Sequence, residues 1–170
     1  MKKFKIGFST PKKQTIFSSL IKLFLRTKYS HIYLERTSEF LDVTYIYQAS
    51  GLSVNFENAE YFKQKNHVVS EFEFEVPAEV YNKIISAAMK KAGRPYGIKQ
   101  VFGIAWTFIC PGKVKNPFAD GSYSYICSEL IAELLDIAGI VNKNSWSKSM
   151  DSITPKDVFE KLEELNDGNS

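Results

Sequence analysis

Tyr125-Ile126-Cys127-Ser128-Glu129-Leu130 is the stretch on which the reading of this chain turns. From Cys127 onward, Leu130, Ile131, Leu134, Leu135 and Ala138 recur at three- and four-residue spacing. The segment Cys127–Gly139 therefore predicts an amphipathic helix with Gly139 as its stop. Cys127 falls in the first turn. Unpaired backbone amides and the positive end of the helix dipole at that position favour a thiolate and lower the thiol pKa. The same amides suit an oxyanion formed in acyl transfer. Spacing alone leaves Cys127 two uses: a nucleophile, or a small buried side chain, the usual state of a lone cysteine.

A thiol nucleophile requires a base, and the chain has 2 histidines. His31 follows Ser30 and opens the strand-like run His31-Ile32-Tyr33-Leu34-Glu35; His67 follows Lys65-Asn66 and has no comparable setting. Tyr29–Arg36 and Val43–Ala49, separated by the polar segment Thr37–Asp42, predict an antiparallel hairpin. A turn centred between Glu39 and Phe40 sets His31 opposite Gln48, on one face of the sheet. The Gln48 amide oxygen is then placed to accept from the imidazole and fix its tautomer. Glu35 shares that face but lies roughly 13 Å along the strand, too far for this role. A one-residue slip would bring Tyr47 or Ala49 opposite His31 instead. The rival use of Cys and His is a metal site. Cys110 and Cys127, 17 positions apart, and two dispersed histidines match no zinc spacing, so neither metal nor cofactor is expected. Cys110 ends an apolar run before Pro111-Gly112, away from any helix start, and predicts an inert thiol.

Working outward, Lys3–Phe8 predicts a short strand. Ser9-Thr10-Pro11 carries a helix-start signal, a hydroxyl cap followed by proline. Ile16, Phe17, Leu20, Ile21 and Phe24 then form the inward stripe of an amphipathic helix packed on the core. Gly51–Phe56 continues the hairpin or adds a strand. His67–Val76 alternates Glu71, Glu73 and Glu75 with Phe72, Phe74 and Val76, the pattern of a strand with one wet face. Pro77–Ala92 predicts a helix with Tyr81, Ile84, Ile85 and Ala88 inward and Gly93 as its stop. Val101–Ile109 reads as a buried helix or a hydrophobic wall beside a pocket. Thr154-Pro155 repeats the cap-plus-proline signal and opens a last helix to about Leu165. Helices with an antiparallel sheet give an α+β class and, at 170 residues, one domain over 1–170.

Composition narrows the partners. The net charge of +3 is slight and the lysines are scattered, with no basic stripe interleaved with aromatics, so nucleic acid is excluded as the expected partner. No apolar run approaches the roughly 20 residues of a membrane span. Met1–Phe8 lacks the apolar core and cleavage site of a secretory signal, which points to a protein made in the cytoplasm; a bacterial or phage-encoded origin is compatible with that.

Ser30-His31, Gln48-Ala49, Gly93-Arg94-Pro95-Tyr96, Tyr125-Ile126-Cys127-Ser128-Glu129-Leu130 and Thr154-Pro155 stand in an order that resembles the permuted NlpC/P60 papain-like group, the YaeF/YiiX kind, over roughly residues 5 to 160. The resemblance implies a circularly permuted papain-like fold, with the histidine strand before the cysteine helix. It implies a cysteine peptidase or amidase with Cys127 as nucleophile, His31 as base and Gln48 as orienter, and with Tyr125, Ser128 and Tyr96 against the substrate. The pattern commonly carries an acid where this chain has Gln48. The substrate class implied is a peptide, isopeptide or peptidoglycan-type amide. A lipid acyl ester or amide, with peripheral contact to a lipid surface, is the variant suggested by Val101–Ile109. A non-catalytic module that keeps the groove is the remaining reading.

Overall fold

The computed structural model describes residues 1–109 and 124–168; the Cys110 expectation lies outside them. Five antiparallel strands form one sheet in the order β4-β3-β2-β1-β5, with β1 Lys2–Pro11, β2 His31–Ser38, β3 Val43–Ser50, β4 Ser53–Asn58 and β5 Asn66–Val76. The helices are α1 Ile16–Leu25, α2 Ala59–Lys65, α3 Ala78–Lys91, α4 Ile98–Ile109, α5 Cys127–Ile137 and α6 Pro155–Asp167.

Strand alternation sorts the side chains to two faces. Phe4, Ile6, Phe8, Ile32, Leu34, Tyr47 and Ala49 face one side and pack with Ile84 and Ala88 of α3, Leu130, Ile131 and Leu134 of α5, and Val158 and Leu162 of α6. The opposite side is shallower: Tyr33 and Ile46 lie under Ala59 and Phe62 of α2. Val76, Phe74 and Phe72 of β5 turn toward the large core, while Glu71 and Glu73 pair with Lys5 and Lys3.

Local chemistry accounts for most helix ends. Thr154 accepts from the Asp157 amide while the Asp157 carboxylate accepts from the Thr154 amide, so α6 opens on a complete capping box with Pro155 at its start. Gly93 and Gly139, at φ 83° and 70°, supply the left-handed residues that follow α3 and α5.

Two expectations shift. Ser9-Thr10-Pro11 does not start a helix: these residues extend β1, paired with Val68, His67 and Asn66 of β5 after a register irregularity between Phe8 and Ser9. Ladder hydrogen bonds outweigh the cap signal there, and the helix is capped later by Thr15, whose side chain accepts from the Ser18 amide. The inward stripe of α1 is also shifted. Ile16 is exposed and Leu20 only partly covered, while Ile21, Phe24 and Leu25 line the same apolar cavity as Leu20; the Phe17 side chain lies outside the described residues.

Gly7 is a point of close approach. It pairs with Tyr33, and a Cβ on it would sit 2.1 Å from the Tyr33 ring, which is fully buried and donates from its hydroxyl to Glu71 Oε1. The ring is packed edge-on against Phe62 and tethered by its hydroxyl, so Gly7→Ala should destabilise the fold by about 1–3 kcal/mol, the usual cost of overpacking. Urea unfolding measures it. Unchanged stability would show that the Tyr33 ring relaxes freely.

Candidate active site

α5 begins at Cys127 because Ile126 is held extended and cannot join the helix. The segment before it, 95–97, is laced to Tyr125: Tyr125 N–H donates to Pro95 C=O at 3.0 Å, and Gly97 N–H donates to Tyr125 C=O at 2.9 Å. These bonds bring Tyr96 beside the first turn of α5. Below it, α5 packs across β2 and β3 through the large core. The Cys127 sulfur is reached by the backbone amides of Ile32, Ser128 and Cys127 itself. It thus touches the histidine strand at the residue following His31.

Three amides favour a thiolate, yet Cys127 is only 4% exposed. Burial outweighs the amides and pushes the thiol up to about 11. The lowered pKa expected from the helix start is therefore corrected: that expectation counted the dipole and omitted desolvation.

His31 opens β2 at the rim of the α2 side, its ring 6.3 Å from that of Phe62. Its Nε2 lies 2.7 Å from Gln48 Oε1. An amide oxygen only accepts, so Nε2 carries the proton and Nδ1 the lone pair. Burial pushes His31 down to about 4, against a smaller upward effect of the Gln48 hydrogen bond. The imidazole is neutral across the physiological range.

The hairpin register differs from the one expected. Leu34 pairs with Tyr47 and Ser38 with Val43, so the turn centres between Phe40 and Leu41, and continuing the ladder sets Gln48 opposite Tyr33. Thr37 and Ser38 belong to the strand, their pairing closed by a 2.9 Å bond between the Thr37 and Thr44 hydroxyls, and Asp42 at φ 48° makes the turn. The slip is of two residues, which preserves the face. Gln48 meets His31 as a diagonal neighbour, within reach of a long side chain. Glu35, the alternative orienter, instead pairs with Lys63 Nζ at 2.6 Å.

Two adjoining cavities meet at this point. One is almost wholly apolar, walled by Leu20, Phe24, Val101 and Phe102, with Cys127 and Ser128 in its lining. The other has a mixed lining and holds His31, Gln48, Glu57 and Lys65. Ile21, Ser30 and Tyr96 line both. Burial pushes the Tyr96 hydroxyl well above its ordinary value, with a smaller upward effect from the nearby Cys127 sulfur. Of the residues expected against a substrate, Tyr96 lines both cavities. Ser128 lies at the first, but its hydroxyl donates to Ile153 C=O at 2.5 Å and ties α5 to the lead-in of α6. Tyr125 lines neither and packs into the core.

Sequence reasoning missed Glu57, whose Oε2 accepts from Gln48 Nε2 at 2.9 Å. Its signal was the alternation Val54-Asn55-Phe56-Glu57, which puts Asn55 and Glu57 on one face of the added strand. Among the described residues, no group of three or more His, Cys, Asp or Glu side chains is placed to hold a metal ion, and no helix is long and apolar enough to cross a membrane.

No family profile matches the sequence, and no curated protein matches it. In solved structures the fold recurs. The crystal structure of metalloprotein yiiX from Escherichia coli O157:H7, of the DUF1105 group, superposes with a TM-score of 0.58 at 15% identity, covering 94% of this chain and 92% of that one.

Proposed function

We propose that this chain is a thiol hydrolase of the permuted papain-like kind, with Cys127 as nucleophile, His31 as base and Gln48 as orienter. The observation that carries the reading is the 2.7 Å contact of His31 Nε2 with Gln48 Oε1. It leaves Nδ1 as the basic nitrogen, in a cavity that shares Ile21, Ser30 and Tyr96 with the apolar cavity lined by Cys127. The Cys127 proton passes to His31 Nδ1 as the sulfur bonds to the substrate carbonyl carbon. The backbone amides at the start of α5 hold the oxyanion. His31 then returns the proton to the departing amine or alcohol. Water attacks the acyl-enzyme, gives a proton to His31, and the carbon–sulfur bond breaks as Cys127 regains its proton. The yiiX protein is described as a metalloprotein; the described residues of this chain converge on no such site, and no step runs through a metal.

Peptide, isopeptide and peptidoglycan-type amides are the first substrate class. The apolar cavity beside Cys127 favours a second, an acyl ester or amide with a hydrocarbon chain. Quenched-flow mass spectrometry with peptidyl anilides and with 4-nitrophenyl esters of increasing chain length separates them. The expected result is an acyl adduct on Cys127 that is absent from Cys127→Ala. If the cavity takes the chain, kcat/KM should climb by up to about fourfold per methylene until the cavity is filled. The hydrolase reading fails if neither class leaves an adduct or turns over.

A further inference from the structure

We propose that Glu57 is a positioning residue, whose carboxylate fixes which way the Gln48 amide points and, through it, which nitrogen of His31 carries the proton. Its consequence for turnover rests on the thiol-hydrolase reading; its effect on the imidazole does not.

A primary amide has an accepting end and a donating end, and either end can be turned toward a neighbour. Gln48 sits between two such neighbours. Its Oε1 faces His31 Nε2 at 2.7 Å, and its Nε2 faces Glu57 Oε2 at 2.9 Å and Asn55 Oδ1 at 3.4 Å. A carboxylate has no hydrogen to give. Turning the amide over would set the Gln48 oxygen against the Glu57 oxygen at hydrogen-bond distance, two acceptors in contact. Asn55 supports the same orientation more weakly. Its own amide nitrogen donates to Ser53 C=O at 3.0 Å and Ser50 C=O at 3.4 Å, which leaves its oxygen facing Gln48. The sheet sets the geometry: Gln48 pairs directly with Asn55, and Glu57 is the next residue on that face. The second Glu57 oxygen meets Lys65 Nζ at 3.4 Å, so the carboxylate is anchored from the end of α2.

The chain of directions then runs one way. Glu57 accepts, Gln48 donates to it and presents its oxygen to His31, His31 donates from Nε2, and Nδ1 keeps the lone pair that takes the thiol proton. With the Gln48 amide reversed, Nε2 would accept, Nδ1 would hold the proton and the base would be lost. This also accounts for an amide where an acid is common in the resembling group. The negative charge stands one residue further out, and a carboxylate at 48 would face that of Glu57. Gln48→Glu is therefore expected to lower activity.

The test is nitrogen–proton correlation NMR of the imidazoles, with the other histidine, His67, as internal reference. The native protein should show His31 protonated on Nε2. Glu57→Leu should bring up the Nδ1-protonated form and lower kcat about 10–100-fold with little change in KM. In a Gln48→Met background the same change should have no further effect on either readout. Glu57→Gln keeps size and removes the enforced acceptor, so it should show the Nδ1-protonated form at a lower fraction. Whichever of the two variants folds, an unchanged His31 tautomer overturns the proposal. A tautomer shift in a protein that turns over no acyl substrate would uphold the positioning role and sink the hydrolase reading instead.

Discussion

Cys127→Ala should lower kcat by about four orders of magnitude or more, since the covalent intermediate cannot form without the sulfur. His31→Ala should cost roughly 10²–10⁴-fold, the usual contribution of a positioned base. Neither loss should reflect unfolding. Cys127 is buried in the large core, but its truncation removes a single sulfur atom at a cavity wall, so a stability change on the order of 1 kcal/mol is expected. His31 lies half-buried at the first residue of β2, outside both core clusters. Thermal unfolding run beside the kinetics separates the two causes. Native-like unfolding with lost turnover in both variants is the expected pair of results. Wild-type turnover in Cys127→Ala would move the chemistry to another residue.

What the sequence revealed of this fold follows how local each signal is. Thr154-Pro155 and the stripe Leu130, Ile131, Leu134, Leu135 were legible because cap and periodicity lie within a few residues of each other, and α6 and α5 start where those signals lie. Ser9-Thr10-Pro11 misled because its strand partner, Asn66–Val68, is more than fifty residues away, and cross-strand pairing overrode a local cap. α2 was not foreseen. Its seven residues are too short to show a helical period, and its Asn58 cap is a single residue. The site divides in the same way. His31 and Gln48 could be set on one face from the pleat alone, since a two-residue slip preserves faces. The Glu57 contact depended on β4 adding to β3 in one register, set by the two-residue turn Gly51-Leu52 with Gly51 at φ 63°, whereas the sequence reading left Gly51–Phe56 as a continuation or an added strand. The Cys127 environment was half legible: the helix start was plain, but the burial that reverses its effect comes from β2, Tyr96 and α4, brought together only by folding.

That reversal gives the second large expected effect. In a Cys110→Ser background, so that one thiol reports, alkylation of Cys127 by iodoacetamide should rise about tenfold per pH unit through the alkaline range, without a plateau below pH 9. The thiol is pushed up to about 11, so at pH 8 its thiolate fraction falls about two orders of magnitude below that of a free cysteine, and the rate with it. The amides of Ile32, Ser128 and Cys127 pull the other way but do not offset the loss of water around the sulfur. His31, held down to about 4, is neutral over the same range and supplies no resting ion pair. The resting state is thus thiol and imidazole, and the proton moves only as the sulfur attacks. It follows that kcat/KM for an acyl substrate should stay flat as pH falls from 7 to about 5 and drop only as His31 takes up its proton near 4. An alkylation midpoint below pH 8, together with an acid limb near 6.5, would mean that the helix start and a solvated imidazole govern the site and that the thiolate exists before substrate binds.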